Sequence, residues 1–188
     1  MADKKHYLFT SLTLGLIAAG SALLIGATNI ITKDRISNNE KNKINQGIAG
    51  IFGDSATVKD ESEIDDENYK YVNYVYEVKQ EEKDIGYAFV TTGSNAYGKI
   101  SLLVGFNLEN EFLSLQVVTD EQTYASALEE NYIDPLNEGS RDLDDVSCGA
   151  TYGAKLVRDM VKEANNASKE KVWKKWWRGK KVIQKRIS

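Results

Sequence analysis

Histidine, cysteine and proline are all but missing from this chain: each occurs once, as His6, Cys148 and Pro135. A lone cysteine excludes an intrachain disulfide, and it leaves no set of thiolates for an iron–sulfur cluster or a structural zinc site. With its only histidine at the very N-terminus, metal catalysis and imidazole acid–base chemistry have little to work with. No nucleophile, base and orienting acid stand in a recognisable pattern either. Any redox chemistry must therefore come from an organic cofactor.

Charge is also missing, over the whole of Tyr7–Thr32. That run carries Leu12, Leu14, Leu16, Ile17, Leu23, Leu24, Ile25, Ile30 and Ile31, and about 20 apolar residues suffice to span a bilayer as a helix. A cleaved signal peptide is the rival reading, because small residues stand near Gly26-Ala27, although such apolar regions are usually only about 7–15 residues long. No cysteine follows to take a lipid. Lys4 and Lys5 precede the run while Lys33 and Arg35 follow it, so the positive-inside rule decides little. The short N-terminal flank has no room for a folded domain. The acidic body is therefore expected outside the cytoplasmic membrane.

What is present is unevenly spread. The formal charge of −4 combines a tail, Lys169–Ser188, with nine basic residues and one acid, and a remainder with fifteen basic and twenty-seven acidic ones. An acidic body argues against nucleic-acid binding, which needs many cations along the phosphate backbone. The tail interleaves its cations with Trp173, Trp176, Trp177, Val182, Ile183 and Ile187. If helical it sets the tryptophans on one face, suited to membrane lipid or a partner subunit.

Between the anchor and the tail the pattern predicts an α+β domain. Ile36, Ile44, Ile48, Ile51 and Phe52 recur at helical spacing until Gly53. The acidic stretch Asp60–Glu67 reads as a solvated link. Tyr69–Lys79 alternates as a half-buried strand does. Glu81–Asp84 turns the chain into a second strand, Ile85–Thr92. Gly93–Gly98 is a turn into a third, Lys99–Asn107, and Leu108–Glu111 leads to a fourth, Phe112–Thr119. Connections this short make the sheet antiparallel. A helical or irregular segment is expected over Thr123–Tyr132, then a polar loop holding Pro135 as far as Asp145. A final helix begins near Thr151, with Leu156, Val157, Met160, Val161 and Ala164 in one stripe. The expected organisation is an N-terminal transmembrane anchor (1–32), a juxtamembrane helix and acidic link (33–68), a domain of antiparallel sheet with flanking helices (69–167) and the basic tail (168–188).

The stretch Asp145-Val146-Ser147-Cys148-Gly149-Ala150-Thr151 stands directly before that last helix. Small residues admit close backbone approach, and a helix N-terminus offers free amides and the positive end of a dipole, so an anion fits here. Equally, Ser147 or Thr151 simply caps the helix. The stretch resembles the flavinylation motif Asp-x-x-(Ser/Thr)-Gly-Ala-Thr of the FMN-binding domain family. That family includes the G subunit of the Rnf ferredoxin:NAD oxidoreductase and the C subunit of the sodium-translocating NADH:quinone oxidoreductase. Further similarity lies in Gly86-Tyr87-Ala88-Phe89, in Tyr97-Gly98-Lys99-Ile100 with the strand after it, and in Thr32-Lys33-Asp34-Arg35-Ile36 after the anchor.

The resemblance implies FMN linked covalently, through a phosphoester, to Thr151 by a transferase that cleaves FAD. It implies Asp145 as the motif acid and Ser147, Cys148, Gly149, Ala150 and Tyr152 around the cofactor. Cys148 departs from the family's Ser or Thr. Where the family has Glu-Thr-Pro-Gly-Leu-Gly, this chain has Glu121-Gln122-Thr123-Tyr124-Ala125, from which only Thr123 carries over. Tyr97 and Gly98, with Tyr124, are expected near the ring. The implied role is an electron relay among other membrane redox subunits of an Rnf-like, ion-translocating complex. A stand-alone flavinylated shuttle and a tethered binding module remain as alternatives.

Overall fold

The computed structural model describes the backbone of residues 2–64 and 68–187, and the side chains of residues 9–23, 39–64 and 68–172. It divides into two units, Met1–Asn42 and Lys43–Ser188. Helix α1, Ala2–Phe52, supplies the first unit and the opening turns of the second. In the first unit Phe9, Leu12, Leu14, Leu16, Ile17 and Leu23 are all between 62% and 75% exposed. Among the described residues no helix is long and apolar enough to cross a membrane. Much of the uncharged run, residues 7–8 and 24–32, lies outside the described side chains.

The second unit is built on an antiparallel meander in the order β1-β2-β3-β4-β5. Its strands are β1 (Thr57–Glu63), β2 (Val72–Gln80), β3 (Lys83–Asn95), β4 (Gly98–Asn107) and β5 (Phe112–Asp120). A helical run follows: α2 (Ala125–Leu128), a π-helical turn (Glu129–Ile133) and α3 (Asp134–Asn137). Helix α4, Thr151–Ile187, ends the chain.

Both faces of the sheet are covered, and strand composition follows from that. One face sets Val75, Phe89, Leu102, Val104 and Leu115 against Ala154, Val157, Met160, Val161 and Ala164 of α4 and against Leu128, Tyr132 and Ile133. The other packs Val78, Ala88, Val90 and Leu103 against Ile44 and Ile48 of α1. Alternate residues of β4 thus enter different cores, so the strand reads as one apolar run. Burying side chains of this size is worth about 1.5–3 kcal/mol each. Gly105 lets α1 come close, because a Cβ there would stand 2.4 Å from Ile51 Cγ2.

Several expectations change. The sheet has five strands, not four: part of the acidic link, with Asp60, Glu61 and Glu63, is the edge strand β1, paired to β2 from Thr57↔Lys79 to Glu63↔Tyr74. Charged side chains suit an edge strand, and they erase the apolar alternation that marks strands in sequence. Residues 65–67 of that link lie outside the described residues. Strand β3 runs through Gly93 to Asn95, so the turn is only Ala96-Tyr97. Pro135 is helical rather than in a loop. It sits in the first turn of α3, where its missing N–H is tolerated. The basic tail continues α4 to Ile187, while the side chains from Trp173 onward lie outside the described ones. Gly53 does close α1, its N–H bonded to Ala49 O at 2.8 Å.

The free edge of β5 is occupied by side chains. Asn137 Oδ1 accepts from Leu115 N at 2.8 Å and from Ser114 Oγ at 3.0 Å, its Nδ2 donates to Leu115 O at 2.9 Å, and Lys43 Nζ donates to Val118 O at 2.9 Å. Leu115 is fully buried. Asn137→Ala leaves its amide and carbonyl without partners, and a loss of about 1–3 kcal/mol in urea unfolding is expected. An unchanged midpoint would show that solvent reaches this edge.

Candidate functional site

Helix α4 starts where its sequence least provides for a start. Ala150 O accepts the first helical hydrogen bond, from Ala154 N at 3.0 Å, so Ala150 is the cap residue. It has no side-chain oxygen to receive the amides of the first turn, whereas Ser, Thr, Asp or Asn is preferred there. Neither Ser147 nor Thr151 fills that role. Thr151 is the first helical residue, and its hydroxyl makes no hydrogen bond among the described residues. The amides of Thr151, Tyr152 and Gly153 likewise find no acceptor there. Such a terminus attracts an anion through its N–H groups and its dipole.

The terminus opens into a cleft of about 270 Å³ lined by Tyr97, Gln122, Tyr124, Leu128 and residues 149–153. Tyr97 is central to its aromatic wall, with ring centroids 5.8 Å from Tyr124 and 5.5 Å from Tyr152. Tyr124 and Tyr152 are more than half exposed. Lys155 Nζ stands 5.8 Å from the Tyr152 ring centroid and brings a cation to the rim. Asn95 Nδ2 donates to Tyr152 O at 3.2 Å, tying the β3–β4 turn to the first turn of α4.

The opposite wall is fixed by backbone pairing. Glu121 N donates to Lys99 O at 2.8 Å, Thr123 N to Tyr97 O at 2.9 Å and Thr123 Oγ1 to the same carbonyl at 3.1 Å. Gly98, at φ +137°, permits this approach: a Cβ there would lie 2.1 Å from Glu121 O. Gln122 is held between these bonds, its N–H donating to Asp120 Oδ1 at 2.7 Å and its Nε2 to Gly98 O at 2.6 Å. Burial raises the Asp120 pKa, with the Gln122 hydrogen bond opposing.

Of the residues expected around the site, Thr151, Tyr152, Gly149, Ala150 and Tyr97 line the cleft; Gly98 and Thr123 support its wall from behind. Cys148 is buried in the core. Asp145 and Ser147 lie in the loop before the cleft. There Arg141 Nη1 donates to Asp145 O at 2.8 Å and to Ser147 O at 3.3 Å, and it pairs with Asp145 Oδ2 at 3.3 Å. Tyr132, whose pKa burial raises, donates to Leu143 O at 2.5 Å. Sequence reasoning missed Gln122, Leu128, Gly153 and Arg141. None belongs to the motif: Gln122 acts through Gly98, distant in sequence, whereas Arg141 acts on Asp145 and Ser147 within its own loop.

These features define a class: an α+β domain whose meander presents an uncapped helix terminus, carrying a free hydroxyl, at the mouth of an aromatic cleft. One likeness to a known family accompanies them. Residues 1–48 match the family model described as the RnfG N-terminal region, so the chain resembles the Rnf G subunit over that part. A search of curated proteins finds no match.

The loop before Thr151 is also tied to α4 through Asp144 and Lys162. The hydrogen bond from Lys162 holds the Asp144 carboxyl below the ordinary carboxylate range. A carboxylate lowered in the folded state stabilises the fold above its unfolded pKa, about 4, and loses that contribution as pH falls through the folded value. Both side chains are exposed, so the effect is small and salt-sensitive. Protection of the Asp142–Ser147 amides against hydrogen exchange should fall as pH drops below about 4, and Asp144→Asn should remove that dependence. Equal pH dependence in the two proteins would contradict this.

Proposed function

We propose that this chain is the flavin-carrying subunit of an Rnf-type membrane electron-transfer complex, with FMN joined to Thr151 Oγ1 by a phosphoester. The observation that carries the reading is the free Thr151 hydroxyl in an uncapped first turn, beside a cleft walled by Tyr97, Tyr124 and Tyr152. The residues fit such a group. Amides of residues 151–153 suit the phosphate, and a Cβ built on Gly149 meets nothing within 4 Å, so the approach is open. The tyrosine faces suit a planar aromatic ring. The cleft's 270 Å³ falls below the roughly 300–1,000 Å³ of enclosing ligand pockets. A cleft of this size would hold a flavin without enclosing it, which suits electron exchange with a partner.

Attachment balances as a phosphoryl transfer. The pyrophosphate bond of FAD breaks, the FMN phosphorus bonds to Thr151 Oγ1, AMP leaves, and the hydroxyl proton passes to the transferase or solvent. Bound flavin supplies acceptance and release of one or two electrons. The chain's own residues hold the phosphate, orient the ring and keep the cofactor from being lost.

The match of residues 1–48 to the RnfG N-terminal region supports a subunit of a complex over a stand-alone shuttle. Apolar side chains exposed around residues 9–23 favour lipid or neighbouring membrane helices as their surroundings. In this reading residues 1–32 anchor the chain, and residues 69–167 stand on the extracytoplasmic side. The tail faces lipid or a partner subunit.

Co-expression with the FMN transferase should add the mass of FMN less one water to the wild type. Thr151→Ala should gain nothing, and Thr151→Ser should keep the adduct. An unmodified wild type, with the transferase active on a control substrate, would overturn the proposal.

A further inference from the structure

Gln122 is 8% exposed, a buried amide at the back of the cleft. Its orientation is fixed by chemistry, because Gly98 O is an acceptor only and must face the NH2 group, Nε2, at 2.6 Å. The side-chain oxygen is thereby turned away from Gly98. It reaches the first turn of α4, 3.5 Å from the position a Cβ on Gly153 would take. No donor is bonded to Gln122 Oε1 among the described residues. That oxygen is not among the fully enclosed unbonded polar atoms, so it opens to the cleft that Gln122 lines, where it can accept from a ligand. The backbone on both sides is pinned, so the side chain cannot easily turn to solvent.

The ligand group this oxygen accepts from must be a donor. A phosphate has only acceptors at neutral pH and belongs at the amides of residues 151–153. The next groups along a flavin beyond its phosphate are the ribityl hydroxyls, and the ring lies several bonds further. We infer that Gln122 is a positioning residue whose Oε1 accepts a hydrogen bond from a ribityl hydroxyl of the flavin carried on Thr151. The inference rests on the proposed flavinylation. It adds the residue that sets the direction in which the cofactor leaves its anchor. Gly153 belongs to the same arrangement, because a Cβ there would already press on Leu128 Cδ2 at 3.0 Å.

The test uses the full chain, unmodified and flavinylated, with the glutamine side-chain carbonyls labelled with ¹³C and Gln122→Met serving to assign the Gln122 signal. Intact mass first establishes whether the wild type carries the adduct; its absence there removes the proposed function and this inference together. With the adduct present, the Gln122 Cδ resonance should move downfield on flavinylation. An unmoved resonance would overturn the inference and leave the proposed function standing. Melting temperatures close a cycle that separates a flavin contact from a structural one. The gain on flavinylation should be smaller in Gln122→Met than in wild type, whereas a purely structural role lowers both states equally. The flavin midpoint potential should be the same in both proteins. A change in it would put the contact on the ring instead and contradict the ribityl assignment.

Discussion

Helix α4 begins with an alanine where a hydroxyl or carboxylate would ordinarily receive its free amides, and the rest of the site is arranged around that opening. The helix cannot shift to begin elsewhere, because Ala154, Val157, Met160, Val161 and Ala164 lock its register against the sheet. The preceding loop is held from outside by Arg141 and Lys162, and from inside by Cys148 in the core. An unsatisfied terminus that packing prevents from relaxing is a preorganised anion site. The stability of the domain and, in the proposed reading, the holding of a phosphate thus rest on the same helix.

The sheet serves that helix as a rigid floor. Covered on one side by α4 and on the other by the last turns of α1, it leaves its central strands no solvent face. The β3–β4 turn then carries Tyr97 and Gly98 to the mouth of the cleft. Strand β5 delivers Gln122 to the same place by running on past its last ladder residue. The side chains of the cleft therefore stand on regular elements or are tied to them, which keeps their positions well defined.

What the sequence disclosed and what it concealed follow from how each element is held. Strand β4 was legible as a continuous apolar run, and β2 from its alternation, although that alternation does not mark one face. The register shifts after Val72, so Val72 and Val75 enter one core, Tyr76 and Val78 the other, and Tyr74 is exposed. The α4 stripe was legible because its period is that of a helix facing one core. Strand β1 was hidden, since an edge strand held by ladder bonds needs no apolar alternation and Asp60, Glu61 and Glu63 mask it. The helical state of Pro135 depends on its place in the first turn, which no local pattern announces. At the site, the motif pointed to the helix terminus and Thr151, but not to what surrounds it. Gln122 reaches the cleft through Gly98, distant in sequence, and Arg141 meets Asp145 and Ser147 within one irregular loop, and neither contact leaves a periodic trace.

A first turn of α4 that holds a phosphate joined to Thr151 would show itself in amide ¹⁵N–¹H spectra of the unmodified and flavinylated protein. Large downfield proton shifts and slowed hydrogen exchange are expected at Thr151, Tyr152 and Gly153 on flavinylation, with the remainder of α4 nearly unchanged. Amides at those three positions that neither shift nor gain protection in a protein shown by mass to carry FMN would contradict it.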